Sequence, residues 1–156
     1  MLQDSKLLVS GSISATDNSI TGQTVTGTGN VLSTNTIDLL QNRDIGEGND
    51  VFLRPVVGIA QVGATSVEIQ AITADDAALT SNVTVIGSSG AIPTASLIAG
   101  ALFPINLPPR IGSKGQRYLG ARYVIVGTST AGTFITDFGL EISDSKKYYP
   151  SGFVIK

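Results

Sequence analysis

The sequence predicts an all-β fold, an antiparallel two-sheet sandwich of jelly-roll type with an extended N-terminal arm. Three observations lead there. Short apolar runs recur every eight to twelve residues or so from Thr36 onward, with Gly, Pro or Asn between them. Several of these runs alternate with period two, and none carries a sustained helical stripe. The 156 residues are also enough for one domain with one core.

Taken in order, Ser10 to Asn30 is dominated by Ser, Thr, Gly and Asn, with Ile13, Ile20 and Val25 as its sizeable apolar residues. Residues 1–30 are therefore assigned to an arm or irregular ribbon. Strands are expected over Thr36–Leu40, Asp50–Val57, Thr65–Ile72, Val83–Ile86 and Ala101–Leu107. In the last, Ala101, Phe103, Ile105 and Leu107 share a face, and Pro104 suits an edge position that tolerates a missing donor. Tyr118–Val126 alternates, with Leu119, Ala121, Tyr123 and Ile125 on one side and Arg122 on the other. Thr133–Ser143 does the same, with Phe134, Thr136, Phe138, Leu140 and Ile142 on one face. Gly127–Gly132, rich in Ser and Thr, reads as the turn joining these two into a hairpin. The helix-like pieces are Ala74–Leu79 and Thr94–Ala99, one or two turns each. The sandwich is expected over residues 31–143, and residues 144–156 form a tail that packs on the core or on a neighbouring subunit. There is no internal repeat of fixed period.

Composition narrows the function classes. Hydrophobic residues make up 42% and charged residues 14%, against roughly 25% charged in an ordinary soluble protein, so the surface must be rich in neutral residues, which favours assembly. A formal charge of −2 and no basic run longer than Lys146–Lys147 argue against direct nucleic-acid binding. No apolar stretch approaches the ~18 residues of a membrane span, and residues 1–12 lack a signal-peptide layout, so a soluble, cytoplasmically made protein is expected. Cysteine and histidine are both absent, which removes disulfides, the commonest general base and the commonest transition-metal ligand.

The remaining polar constellations are weighed against their plainer readings. Asp44, Glu47 and Asp50 lie on a Gly-flexed loop that offers oxygen ligands to Ca²⁺, but their spacing is not that of an EF-hand and a polar turn accounts for them. Asp75 and Asp76 are adjacent, an arrangement that suits capping a short helix better than the facing carboxylates of a glycosidase. Thr26-Gly27-Thr28-Gly29-Asn30 has Leu32 where a dinucleotide fingerprint needs its third Gly, and Ile111-Gly112-Ser113-Lys114-Gly115 is not a phosphate loop. Arg110, Lys114 and Arg117 form the main local excess of positive charge. They read either as a solvated loop or as a contact for carboxylates on a partner. Tyr148, Tyr149 and Phe153 in the tail either cover the core or clasp a neighbour. No catalytic residue, cofactor or metal is expected.

Two stretches carry a family resemblance. Thr34-Asn35-Thr36-Ile37-Asp38-Leu39 followed by Arg43-Asp44-Ile45-Gly46-Glu47-Gly48, and Arg117-Tyr118-Leu119-Gly120-Ala121-Arg122-Tyr123 leading through Gly127 and Gly132 to Phe134, resemble small phage head proteins of the Bordetella-phage cement type. The similarity spans about residues 31–143. It implies a jelly-roll subunit, usually trimeric, that sits between capsomers of the major capsid protein on the outside of the expanded head and stiffens the shell. The arm before Val31 and the aromatic tail depart from that pattern. The competing expectations are a carbohydrate-binding jelly-roll module of a tail or surface protein, which would want an exposed aromatic platform although the chain has no Trp, and an enzyme, which would need a matched acid and base.

Overall fold

The computed structural model describes residues 6–41, 50–108 and 116–140. Among these the chain is almost all strand: β1 (Leu8–Ser10), β2 (Ser12–Ile13), β3 (Ile20–Thr21), β4 (Gln23–Thr24), β5 (Gly27–Leu32), β6 (Ile37–Asp38), β7 (Val51–Ala74), β8 (Thr84–Pro93), β9 (Ile105–Asn106) and β10 (Tyr118–Leu140). Every pairing between them is antiparallel.

Two strands organise the rest. The β7 strand has 24 residues and β10 has 23, and they pair from Tyr118↔Ala74 to Leu140↔Val51. On the free side of β10 lie β1, β4, β5 and β6, while β8 and β9 flank β7. Strands this long cannot stay flat. Between Val126 and Phe134 the β7–β10 register slips four times, and such bulges sharpen the local bend and twist. Gly63 sits in this region at φ +87°, where a Cβ would stand 2.6 Å from the Thr128 carbonyl oxygen, so only glycine fits.

The bend folds the ribbon onto itself and makes the sandwich-like arrangement. One half is Tyr118–Val126 paired with Ser66–Ala74, and the other is Phe134–Leu140 paired with Val51–Val57. Their inner faces meet where the Tyr123 and Phe134 rings pack tilted at 4.9 Å. The buried Tyr123 hydroxyl reaches Ser10 Oγ at 2.8 Å and Thr136 Oγ1 at 2.7 Å across the same gap. Around them Val9, Val25, Leu53, Val57, Val67, Ile69, Leu97 and Leu107 form the main core, and Ile72, Ala74 and Leu79 form a smaller cluster.

Leu119, Ala121, Tyr123 and Ile125 face inward before the bend, and Phe134, Thr136 and Phe138 after it, as their alternation predicts. The buried positions change from odd to even. A one-residue slip turns every side chain over, and the net slip of one across the bend (partner numbers sum to 192 at Tyr118↔Ala74 and to 191 at Leu140↔Val51) keeps the apolar set inside on both halves.

The structure corrects several expected elements. Gly127–Gly132 is not a hairpin turn but the bulged middle of β10, because β7 continues alongside it and supplies partners at Ala64 and Val62. Asp50–Val57 and Thr65–Ile72 are correspondingly two halves of the single strand β7. Ala74–Leu79 forms no helix: the Asp76 carboxylate accepts the Thr80 and Ser81 amides and closes a tight turn, with Leu79 at φ +57°. Thr94–Ala99 contracts to one 3-10 turn, Thr94–Ser96. In residues 10–30, β2 and β3 form a small sheet of their own while β4 and β5 add to β10. Val25 is fully buried there and Ile20 is exposed.

Candidate interaction surface

Most charged side chains of the described residues are answered within the chain, two pairs by opposite charge and other carboxylates by neutral donors. Arg117, expected to meet a partner, stands just before β10 and grips Asp38 of β6 in a two-pronged pair, Nε to Oδ1 at 2.7 Å and Nη2 to Oδ2 at 2.6 Å. Its guanidinium also lies 5.1 Å above the Tyr118 ring. The Arg117 hydrogen bond holds the Asp38 carboxyl down at about 2, and Asp38 in turn raises the guanidinium's own value. Both side chains are part-exposed, so the pair fixes the local geometry more than it stabilises the fold. Arg110, Lys114, Tyr148, Tyr149 and Phe153 lie outside the described residues, as do Asp44 and Glu47.

On the face of the first half turned away from the core, Glu68 Oε1 accepts hydrogen bonds from Ser88 Oγ at 2.6 Å and Gln70 Nε2 at 2.7 Å. Arg122 Nε donates to Gln70 Oε1 at 2.7 Å. These contacts, Ser88 first, hold the Glu68 carboxyl below its ordinary range. On the second half the Asp137 carboxylate, fully buried, takes Arg54 Nε at 2.8 Å and Nη2 at 2.5 Å. Asp75 and Asp76 do not face each other across a cleft. Asp75 accepts from Asn82 Nδ2 and Gln116 Nε2, and Asp76 holds its own turn. No group of three metal-ligating side chains occurs among the described residues, and none of their helices is long and apolar enough to cross a membrane.

What sequence reasoning missed lies at the bend. Ile59, Val62 and Val126 are each more than half exposed there, and so is Ile98. Ile59 and Val62 stand on the bulged middle of β7, opposite Thr133 and Ala131, and Val126 stands on β10 where that stretch begins, opposite Ser66, while the segment carrying Ile98 runs along the other side of β7 through the Gln61 N–H to Leu97 O and Thr94 Oγ1 to Ala64 O hydrogen bonds. On the far side of β10, Gly27 pairs with Ser129 and Thr28 Oγ1 meets Thr128 Oγ1 at 3.2 Å. Gln61, buried at the centre, donates from Nε2 to Val25 O at 3.0 Å and Ser129 Oγ at 2.6 Å, tying the early ribbon to the bend. The available signal was a pattern of missing charge. No Asp, Glu, Lys or Arg occurs in residues 18–37, 55–67, 77–109 or 123–136, and a part of each of these four stretches lies at the bend.

Fold and surface together define an antiparallel β-sandwich whose polar groups mostly bond within the chain and whose bent end is uncharged and part-apolar. The model of the Bbp16 family matches residues 20–137, well over half of the sequence. The chain belongs to that family, a Bordetella phage protein family. The match begins at Ile20, within the segment expected to depart from the family, and ends at Asp137, before the aromatic tail. No curated protein matches the chain.

Proposed function

We propose that the chain is a structural virion protein, a cement or decoration subunit that binds between capsomers of the major capsid protein on the outer surface of the expanded phage head. Membership of a phage protein family carries this reading. The all-β sandwich and the low charge of 14% support it, because a neutral, part-apolar surface favours protein contact over solvation. The subunit acts without catalysis, cofactor or metal, as a homotrimer that touches neither nucleic acid nor membrane. Its action is mass action: a subunit that binds the mature lattice and not its free components stabilises the lattice, and many symmetric copies add modest interfaces together. Arg110 and Lys114, and Tyr148, Tyr149 and Phe153 of the tail, are the proposed partner contacts, the tail residues clasping a neighbouring subunit.

The test is co-sedimentation of purified chain with expanded heads and with free major capsid protein. Binding to heads alone is expected, with density for the sandwich at the capsomer junctions in a reconstruction of the decorated head. A chain that ignores expanded heads and retains a glycan would replace this reading with that of a carbohydrate-binding module.

A further inference from the structure

We infer that the bent end of the sandwich, centred on Ile59, Val62 and Val126, is the surface through which copies of this chain associate with one another. The inference rests on the proposed function and names the self-contact within it.

Four charge-free stretches, residues 18–37, 55–67, 77–109 and 123–136, are far apart in sequence, yet the fold brings a part of each, residues 25–29, 57–67, 92–100 and 126–134, together at the bend. The charged groups among the described residues are Lys6, Asp17, Asp38, Asp50, Arg54, Glu68, Asp75, Asp76, Arg117, Arg122 and Asp137, and all fall outside them. At the bent end the exposed side chains are apolar or neutral hydroxyls: Ile59, Val62, Ile98 and Val126, with Thr28, Thr65, Thr128 and Thr130 beside them. Of the ten exposed large hydrophobic side chains among the described residues four stand in this region, whereas Leu7, Ile20, Leu40, Val85, Leu102 and Leu140 lie elsewhere, as single exposed apolar residues commonly do.

An apolar centre depleted of charge, with a neutral polar margin, is the composition of an interface core, and interfaces between identical subunits are the more apolar class. Charge explains why the occupant is a second copy. A closed symmetric assembly sets residues beside its axis against the same residues of the other subunits, so an ionisable group there would meet its own kind, and a charge-free patch around the axis avoids that repulsion at any pH. A surface selected to meet a different, charged protein gains orientation and on-rate from complementary charge, and the described residues of this one carry none.

Sedimentation velocity on the full chain tests the inference, with Ile59→Lys, Val62→Lys and Val126→Lys compared with Leu140→Lys, an equally exposed position in the opposite direction along β10. Melting temperature and circular dichroism check that each variant is folded. The wild type should associate with little dependence on salt, as should Leu140→Lys. Each bend variant should raise the self-dissociation constant at least about tenfold, and having three positions keeps the test intact if one variant misfolds. Folded bend variants that associate like wild type would overturn the inference. So would variants that associate normally but no longer sediment with heads, since the patch would then face the shell. A wild type that is monomeric and still decorates heads overturns the self-contact and leaves the proposed function standing, whereas a wild type that associates through the patch and ignores heads does the reverse.

Discussion

Breaking the Arg54–Asp137 pair should be among the most damaging single changes to this fold. Arg54 and Asp137 are directly opposed on β7 and β10, and the guanidinium meets the carboxylate through two hydrogen bonds, at 2.8 and 2.5 Å, with side-chain exposures of 13% and 0%. Gly139 makes the geometry possible, since a Cβ there would collide with the guanidinium. Replacing Arg54 by Met removes both described donors and leaves a buried carboxylate unanswered, which costs about 3–5 kcal/mol. For a chain of this size each kcal/mol is about 2–4 °C, so the melting temperature should fall by roughly 6–20 °C. The double variant Arg54→Met/Asp137→Leu removes the stranded charge as well and should recover most of the loss, because an apolar pair of similar volume is often as stable as the ion pair. Urea denaturation at pH 7 of wild type, both single variants and the double variant reads the coupling directly. The reasoning fails if Arg54→Met costs less than about 1 kcal/mol, or if the double variant loses the sum of the two singles.

Tyr123→Phe should cost about 1–2 kcal/mol, because it strands the Ser10 and Thr136 hydroxyls in the core; thermal unfolding measures it. Burial pushes the Tyr123 phenol up to about 12, so in an alkaline absorbance titration of the native protein this tyrosine should ionise well above the ordinary value near 10. Asp17 and Asp38 are held near 2 by Ser14 and Arg117 respectively. Lowered carboxyl values mean that the stability they contribute is complete above the unfolded value near 4 and is lost as pH falls towards 2. Melting temperature should therefore drop across that window, stay level from pH 5 to 8 in a chain without histidine, and drop less steeply in Asp38→Asn. A chelator should leave the melting temperature unchanged, and a loss restored by Ca²⁺ would instead assign the Asp44–Asp50 loop to a metal. Deleting Lys146–Lys156 should weaken trimers or head binding without unfolding the sandwich if the tail is a clasp; lower stability of the isolated subunit would make it core cover.

The inward faces were legible in the sequence because period two is a local property. Leu119 to Ile125 and Phe134 to Phe138 announce themselves, and so does the set Ala101, Phe103, Ile105 and Leu107, of which Ile105 and Leu107 are buried. The candidate site was less legible. Arg117 looked like free positive charge, and what answers it is Asp38, 79 positions away in sequence and adjacent only through the β6–β10 pairing. The buried role of Asp137 depends in the same way on Arg54 standing opposite it, 83 positions away, and composition carries no trace of such a pairing.

The Gly127–Gly132 segment shows why strand ends were harder to read than strand faces. Gly, Ser and Thr suit a tight turn and a bulge equally well, so the composition of that stretch does not decide whether the chain reverses or bends and continues. What decides it is the partner. A hairpin would pair Tyr118–Val126 with Thr133–Leu140, whereas here both segments pair with β7, whose own glycine-punctuated middle, Gly58 and Gly63, lies alongside. Two strands that soften at matching positions can bend together, and the inner faces then close on each other through Tyr123 and Phe134. The same bend leaves Ile59, Val62 and Val126 exposed and brings a part of each uncharged stretch alongside, so the feature that closes the core also builds the exposed patch. Removing the strain-tolerant glycine should therefore disturb both at once: Gly63→Val, with φ +87° and a carbonyl oxygen in the way, should lower the melting temperature and weaken self-association together, whereas Ile59→Lys should weaken self-association alone.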